Sequence, residues 1–413
     1  MDAITRLAEQ WPSPTNERIP YWAYHDPDIF GLEQNRIFEG NTWSFLGLEA
    51  EVPAAGDFIR KYVGTVCIII QRSSAGEINA FVNRCAHRGA EVRREERGNS
   101  RFHTCCYHQW RYGENGKLLS VPFRHGVGGR GGLPSDFDCT DHSMRRLRVA
   151  SVHGLIFGTF SWDFEALEEY LGDSILSHIA RTMCRPIRIL GYQRQRFFGN
   201  WKLYCDNLRD MNHGGLLHMF QISFGLARLS ANGGTVMDRR KIHNLAFNDG
   251  LDHPDGTSHY KNSPRGEVIP SLERSEFMRF IPEFSDNYQV TTLAVFPNLV
   301  VHQVYNSLAV RQIRLVAVDR FDLIWTYFGY ADDSAEMSNH RIVQGNLTGP
   351  AGYISMEDGE AIALTHRATS TACDDTSFVE IGGRGDIVNQ NNLVTEVPMR
   401  GYWQYYRELM CGS

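Results

Sequence analysis

Two short loops, Cys85-Ala86-His87-Arg88-Gly89 and Cys105-Cys106-Tyr107-His108-Gln109-Trp110, each offer one thiolate and one imidazole to a metal. A chain carrying them must bring two separate segments together about one inorganic group, and this constrains its fold more than any hydrophobic pattern does. Zinc sites commonly pair Cys-x2-Cys with His-x3-His, so that each half holds one ligand type. Here both halves are mixed.

A Rieske [2Fe-2S] cluster has two thiolates on one iron and two neutral imidazoles on the other, so each loop must straddle it. The spacing meets that demand, with Cys85 and Cys105 on one iron and His87 and His108 on the other. Cys106 reads as a small buried thiol beside a ligand, and His103 breaks the symmetry of the two loops. Cys67, Cys139, Cys184, Cys205, Cys373 and Cys411 show no paired spacing. An odd count of nine cysteines points to thiols and metal ligands in a reducing compartment, not to a disulfide framework.

A chain of 413 residues has room for two cores, and 42% hydrophobic with 22% charged residues excludes disorder. A net charge of -6 leaves no footprint for nucleic acid. The opening Met-Asp-Ala-Ile-Thr-Arg lacks a basic start and an apolar run, and Val66 to Ile70 and Thr292 to Val301 are far too short to span a bilayer. The expected location is cytoplasmic, with no membrane partner.

Before residue 165 the runs Thr65 to Gln71, Ile78 to Asn83 and Leu155 to Phe160 read as strands. Pro27 to Phe38 has helical spacing, and Phe164 to Tyr170 begins a helical connector. The division is therefore 1–40, an N-terminal helical segment; 41–165, a β domain; and 166–413, a mixed domain. In the last, Gln289 to Phe296, Leu299 to Tyr305, Val310 to Val318 and Leu323 to Tyr330 read as an antiparallel meander, followed by a helix from Asp333 to Gly345. The polar stretch Ala231 to Pro270 reads as a long loop bordering a substrate entrance.

The second chemical signal is Asp210-x2-His213-x4-His218, within Asn200 to His218. On a regular helix the two histidines would diverge by about 140°, so the backbone must break between them, and Gly214-Gly215 is where it could. Two histidines and one carboxylate form the open-sided site typical of non-haem iron(II). Asp358, Glu357 and Glu360 are candidates for the carboxylate, and spacing does not choose among them.

With both motifs in place, the chain resembles the large subunit of the Rieske non-haem iron aromatic ring-hydroxylating oxygenases, nearly end to end. Within that family it is most similar to the salicylate 5-hydroxylase, anthranilate dioxygenase and terephthalate dioxygenase branch, through Gly199 to Leu203, Leu216 to Phe220, Asn306 to Gln312 and Gly349 to Gly359. The resemblance implies an α+β fold, an all-β Rieske domain plus a catalytic domain whose antiparallel sheet wraps helices in a helix-grip arrangement. It makes Asp358 the iron ligand with His213 and His218, and Asp210 the bridge from His213 to a Rieske histidine of a neighbouring subunit. It further implies a homotrimer, often capped by small β subunits as α3β3, fed by a separate reductase or ferredoxin. Three departures stand out: Cys106 replaces a usual Pro, Gln109 often is Gly, and Met211-Asn212 stands where an aromatic commonly precedes the first histidine.

The implied reaction is O2-dependent hydroxylation of a small aromatic acid. Arg311 and Arg400 are candidate carboxylate clamps, each with an internal salt bridge as its alternative role, and Asn207 is a candidate substrate contact. An oxidative demethylase or other monooxygenase on the same scaffold, and a Rieske electron-transfer protein without catalysis, are the alternatives. One iron-ligand set serves both one- and two-oxygen insertion.

Overall fold

The computed structural model describes residues 2–12, 15–223, 231–252 and 275–412. Two compact units make up the chain, Phe38–Leu167 and a second formed by Met1–Ile37 with Glu168–Ser413.

In the first unit the apolar run Val66–Arg72 lies within a seven-stranded antiparallel sheet, ordered Ser44–Leu48, Leu155–Thr159, Arg146–Val152, Ile78–Val82, Val66–Arg72, Asp57–Val63 and Arg97–Asn99. Ile68, Ile69 and Ile70 are buried in succession, which requires cover on both faces of that strand. A small sheet of Phe102–Thr104, Arg111–Gly113 and Leu118–Ser120 carries the second cysteine loop. Phe58, Ile69, Phe81, Trp110 and Tyr112 join Cys85 and Cys105 in one core cluster.

The second unit is built on another seven-stranded antiparallel sheet. Its order is Ile187–Phe198, Arg320–Tyr330, Ser307–Ala317, Leu299–Val304, Val290–Val295, Asn244–Asp252 and Ala231–Met237. The expected meander is thus present, each strand joined to the next by a tight turn. The expected long loop from Ala231 is not: residues 231–252 form two sheet strands, with Thr235, Ala246 and Thr292 in register. Its remainder, 253–270, lies outside the described residues.

Four of this unit's helices lie around the site or brace it. Trp201–Asn207 is capped by Asn200, whose side chain accepts from Lys202 N, and its first six residues are buried. Ala335–Thr348 packs on Ser307–Ala317 and Arg320–Tyr330, while Tyr353–Thr369 packs on Ile187–Phe198 and on Trp201–Asn207. The amphipathic Val397–Cys411 buries Trp403, Tyr406 and Met410. The helical spacing at Pro27 becomes an α-helix, Pro27–Glu33, that runs into a π turn, Gln34–Phe38. Its last residue, Glu33, is fully buried and holds three elements together: it takes Lys202 Nζ at 2.6 Å, Trp201 Nε1 at 2.7 Å and Tyr406 Oη at 2.6 Å. A buried carboxylate with this many donors is satisfied, so it fixes the position of Trp201–Asn207 beneath the second site.

Candidate metal centres

At the first centre the thiols sit inward and the imidazoles at the rim. Cys85 and Cys105 are buried, His87 is exposed and His108 half-buried. The two loops share one turn. Gly89 N donates to Cys85 O at 2.9 Å and Gln109 N to Cys105 O at 3.0 Å, with φ +76° at Gly89 and +59° at Gln109. Gln109 therefore occupies a left-handed position that glycine adopts without strain. Tyr112 Oη lies 3.2 Å from Cys85 Sγ and accepts from Ala86 N at 3.0 Å.

The rings of His87 and His108 stand 4.5 Å apart, and His87 stacks on Trp110 at 4.9 Å. Burial raises the Cys85 thiol above its usual range, so a bound metal is what would hold it as thiolate. The four donors are not gathered about one point as zinc requires: among the described residues, the group with donor atoms all within 4.8 Å of one another is a different one. Buried sulfurs below and paired imidazoles above fit a two-iron cluster. His103 is fully buried between Phe58 and Phe81, with Nδ1 taken by Arg93 Nε at 2.8 Å, a core histidine.

That other group is His213, His218 and Asp358. The α-helix ends at Asn207, ahead of Asp210, so no regular helix joins the two histidines and the backbone is broken between them as expected. His213–Gly215 instead forms one 3-10 turn before the short helix Met219–Ser223. Asp358 projects from Tyr353–Thr369, and its Oδ1 lies 3.5 Å from His213 Nε2 and 3.6 Å from His218 Nε2.

Each ring is held by its other nitrogen. Asp210 O accepts from His213 Nδ1, and Glu357 Oε2 accepts from His218 Nδ1 at 3.1 Å. Both protons are thereby fixed on Nδ1, and both Nε2 lone pairs face the common point. The expected link from His213 to the Asp210 carboxylate is displaced, since the backbone carbonyl takes that proton and Oδ2 stands off at 3.8 Å. Glu360 is exposed and Glu357 is engaged on the far side of His218, leaving Asp358 as the inward carboxylate. Burial opposes charge on Asp358, but its contacts with the two histidines outweigh this and lower its pKa. Three borderline-to-hard donors with open positions fit a mononuclear iron(II).

A cavity of about 110 Å³ opens on this point. Sequence reasoning named two arginines for it, and one is there. Arg311 borders the cavity, whereas Arg400 is buried on Val397–Cys411, donates to Gly385 O at 3.1 Å and borders a different cavity beside Lys241 and Arg407. Arg400 as a clamp at this site is therefore corrected. Asn207 also borders the cavity, and its amide donates to Asp358 Oδ1 at 3.0 Å and lies 3.3 Å from His213 Nε2, so it stands against two of the ligands as well. Glu357 behind His218 and His302 on the cavity wall were missed in the sequence, and no spacing signals either role.

The Rieske [2Fe-2S] domain family matches residues 42–130. The anthranilate 1,2-dioxygenase large subunit of Burkholderia cepacia is 40% identical over 402 residues, covering 97% of this chain and 95% of that one. The chain belongs to the large subunits of the Rieske ring-hydroxylating oxygenases. The terephthalate 1,2-dioxygenase terminal oxygenase component subunit alpha 2 of a Comamonas species is also 40% identical, covering 97% of each chain. The salicylate 5-hydroxylase large oxygenase component of a Ralstonia species is 36% identical, covering 97% and 96%. Naphthalene 1,2-dioxygenase from Rhodococcus sp., solved with indole bound, shares the α+β fold at a TM-score of 0.80 with 22% identity, covering 99% and 97%. As a member of this family the chain uses a Rieske cluster and a mononuclear non-haem iron.

Proposed function

We propose that this oxygenase hydroxylates a single-ring aromatic carboxylate, held by Arg311 beside an iron bound to His213, His218 and Asp358. The observation that carries the reading is the state of Arg311. It is the one Arg or Lys among the described residues bordering the cavity, is 7% exposed, and meets no carboxylate among those residues. Its guanidinium donates to Tyr204 Oη at 2.8 Å and to His302 Nδ1, and lies 4.1 Å over the Trp325 ring. The internal salt bridge that was its alternative role is absent among the described residues. A buried guanidinium that lacks a counter-ion is costly, and a ligand carboxylate removes that cost. Relatives named for anthranilate, terephthalate and salicylate, all single-ring acids, support one ring over a fused system.

When bound, the iron supplies O2 activation and the cluster, held by Cys85, His87, Cys105 and His108, supplies electrons. The protein groups do the positioning. Asp210 O, Glu357 and Asn207 hold the three ligands, Arg311 orients the acid, and Val290, Val304 and Trp325 keep the ring's surroundings apolar. The Asp210 carboxylate, about a quarter exposed, retains capacity for a partner beyond its bond from Asn212 N, which suits electron transfer from a neighbouring subunit's cluster.

The designation of relatives as large or alpha subunits supports an assembly with small β subunits about a homotrimer, and a separate reductase supplies electrons. Nine unpaired cysteines suit a cytoplasmic location. Phe38–Leu167 would be the cluster domain and the other unit the catalytic one. The test is turnover of benzoates against their carboxamides, with a generic reductase, in wild type and Arg311→Met. A fall in kcat/KM of roughly 30-fold to several thousand-fold on the acids alone is expected. Equal losses on acid and amide would remove the clamp.

A further inference from the structure

His302 lies on Leu299–Val304, borders the iron cavity and is 8% exposed. Its Nδ1 faces Arg311 Nη2. A guanidinium has donors only, so Nδ1 must be the acceptor and the imidazole proton must sit on Nε2. Burial, reinforced by the Arg311 charge, pushes the ring well below the usual histidine range, so it stays neutral and keeps that tautomer. Nε2–H lies across the five-membered ring from the guanidinium and meets no acceptor among the described residues. That donor is open to the cavity His302 borders, where a ligand acceptor can take its hydrogen bond.

We propose that His302 is a specificity-determining residue whose Nε2–H donates to an acceptor on the substrate ring other than the carboxylate, selecting a hydroxylated over an unsubstituted or amino-substituted benzoate. This rests on the carboxylate reading of the cavity. The two recognition groups point in different directions because one holds the other: Arg311 takes the acid, and its bond to Nδ1 aims the remaining donor elsewhere. A phenolic oxygen has lone pairs to accept that bond. An aromatic amine has its nitrogen lone pair delocalised into the ring and presents mainly N–H, so it would face His302 donor to donor. Thr292, directly opposite His302 in the strand register and also on the cavity, adds a hydroxyl that can accept the phenol's own proton.

The experiment measures Kd by calorimetry, and kcat and KM by turnover, for benzoate, 2- and 3-hydroxybenzoate and the matching aminobenzoates. It uses the assembled oxygenase as wild type, His302→Asn and His302→Gln. The Asn oxygen stands near the Nδ1 position and keeps the Arg311 tether while deleting the distal donor; the Gln amide nitrogen stands near Nε2. Wild type should favour one hydroxybenzoate over benzoate and over its amino counterpart by at least ~10-fold in Kd and KM. In His302→Asn this ratio should fall towards unity, and His302→Gln should recover part of it. An unchanged ratio in His302→Asn, or a wild type that prefers amino or unsubstituted rings, overturns the proposal. Failure of the underlying reading has a separate signature, wild-type indifference between acid and carboxamide, and would overturn this inference with it.

Discussion

Glu357 Oε2 stands 3.1 Å from His218 Nδ1, on the opposite side of the imidazole from the point where the ring's Nε2 approaches Asp358. Two adjacent acids on one helix thus have different tasks, one facing the metal position and one facing a ligand's back. Glu357 also accepts from Met219 N at 3.1 Å, which ties the start of the following helix to the same carboxylate. Glu357→Gln should weaken iron affinity about 10- to 100-fold, read by iron retention against a graded chelator. Glu360→Gln, at an exposed position, should leave retention unchanged.

Tyr204 bears on substrate affinity through Arg311. Its hydroxyl is one of the two protein groups that fix the guanidinium, and Tyr204 itself is buried. Tyr204→Phe should raise KM for the acid several-fold, consistent with one lost hydrogen bond of about 1 kcal/mol, with kcat little changed. A fall in kcat at constant KM would point instead to a disturbance of the iron ligands.

Glu33→Gln tests the buried ion pair with Lys202 at 2.6 Å. It leaves an ammonium buried without its counter-charge, and should destabilise the second unit by about 3–5 kcal/mol in urea unfolding. A loss below about 1 kcal/mol would mean that Lys202 finds other compensation.

Asp206 gives a pH dependence. Burial raises it from 3.8 to about 7, against the pull of Tyr24 at 2.6 Å, Trp403 at 2.8 Å and nearby Arg209 and Lys202. The folded state therefore binds this proton more tightly than the unfolded state does. Its contribution is fully present below the unfolded pKa and is lost as pH rises towards about 7. Relative to Asp206→Asn, wild type should lose stability between about pH 4 and 7, by no more than ~4 kcal/mol, and the difference should level off above that range. Urea midpoints across the range check this, and a flat difference would place the Asp206 pKa near its unfolded value.

Much of this was legible in the sequence because metal chemistry limits the residues that can serve it. Cys85, His87, Cys105 and His108 declare a cluster by type and spacing alone, and alternating apolar runs mark the meander of the catalytic sheet. The polar strands Ala231–Met237 and Asn244–Asp252 were read as a loop, since Gly, Asn and Asp there mask a pairing that the neighbouring strand Val290–Val295 supplies. Spacing did not choose between Asp358 and Glu357, a choice the resemblance made and the helix orientation accounts for, and the tautomer of His302 needed Arg311 on the adjacent strand. Neither relationship is local in sequence.

The central claim is that His213, His218 and Asp358 hold the mononuclear iron independently of the cluster. Its most direct test is iron content together with the visible cluster absorption of purified His218→Ala. The expected result is loss of the single iron with the cluster's two irons and its spectrum intact, and no product from any acid. Retention of the full iron complement with normal turnover would contradict the assignment.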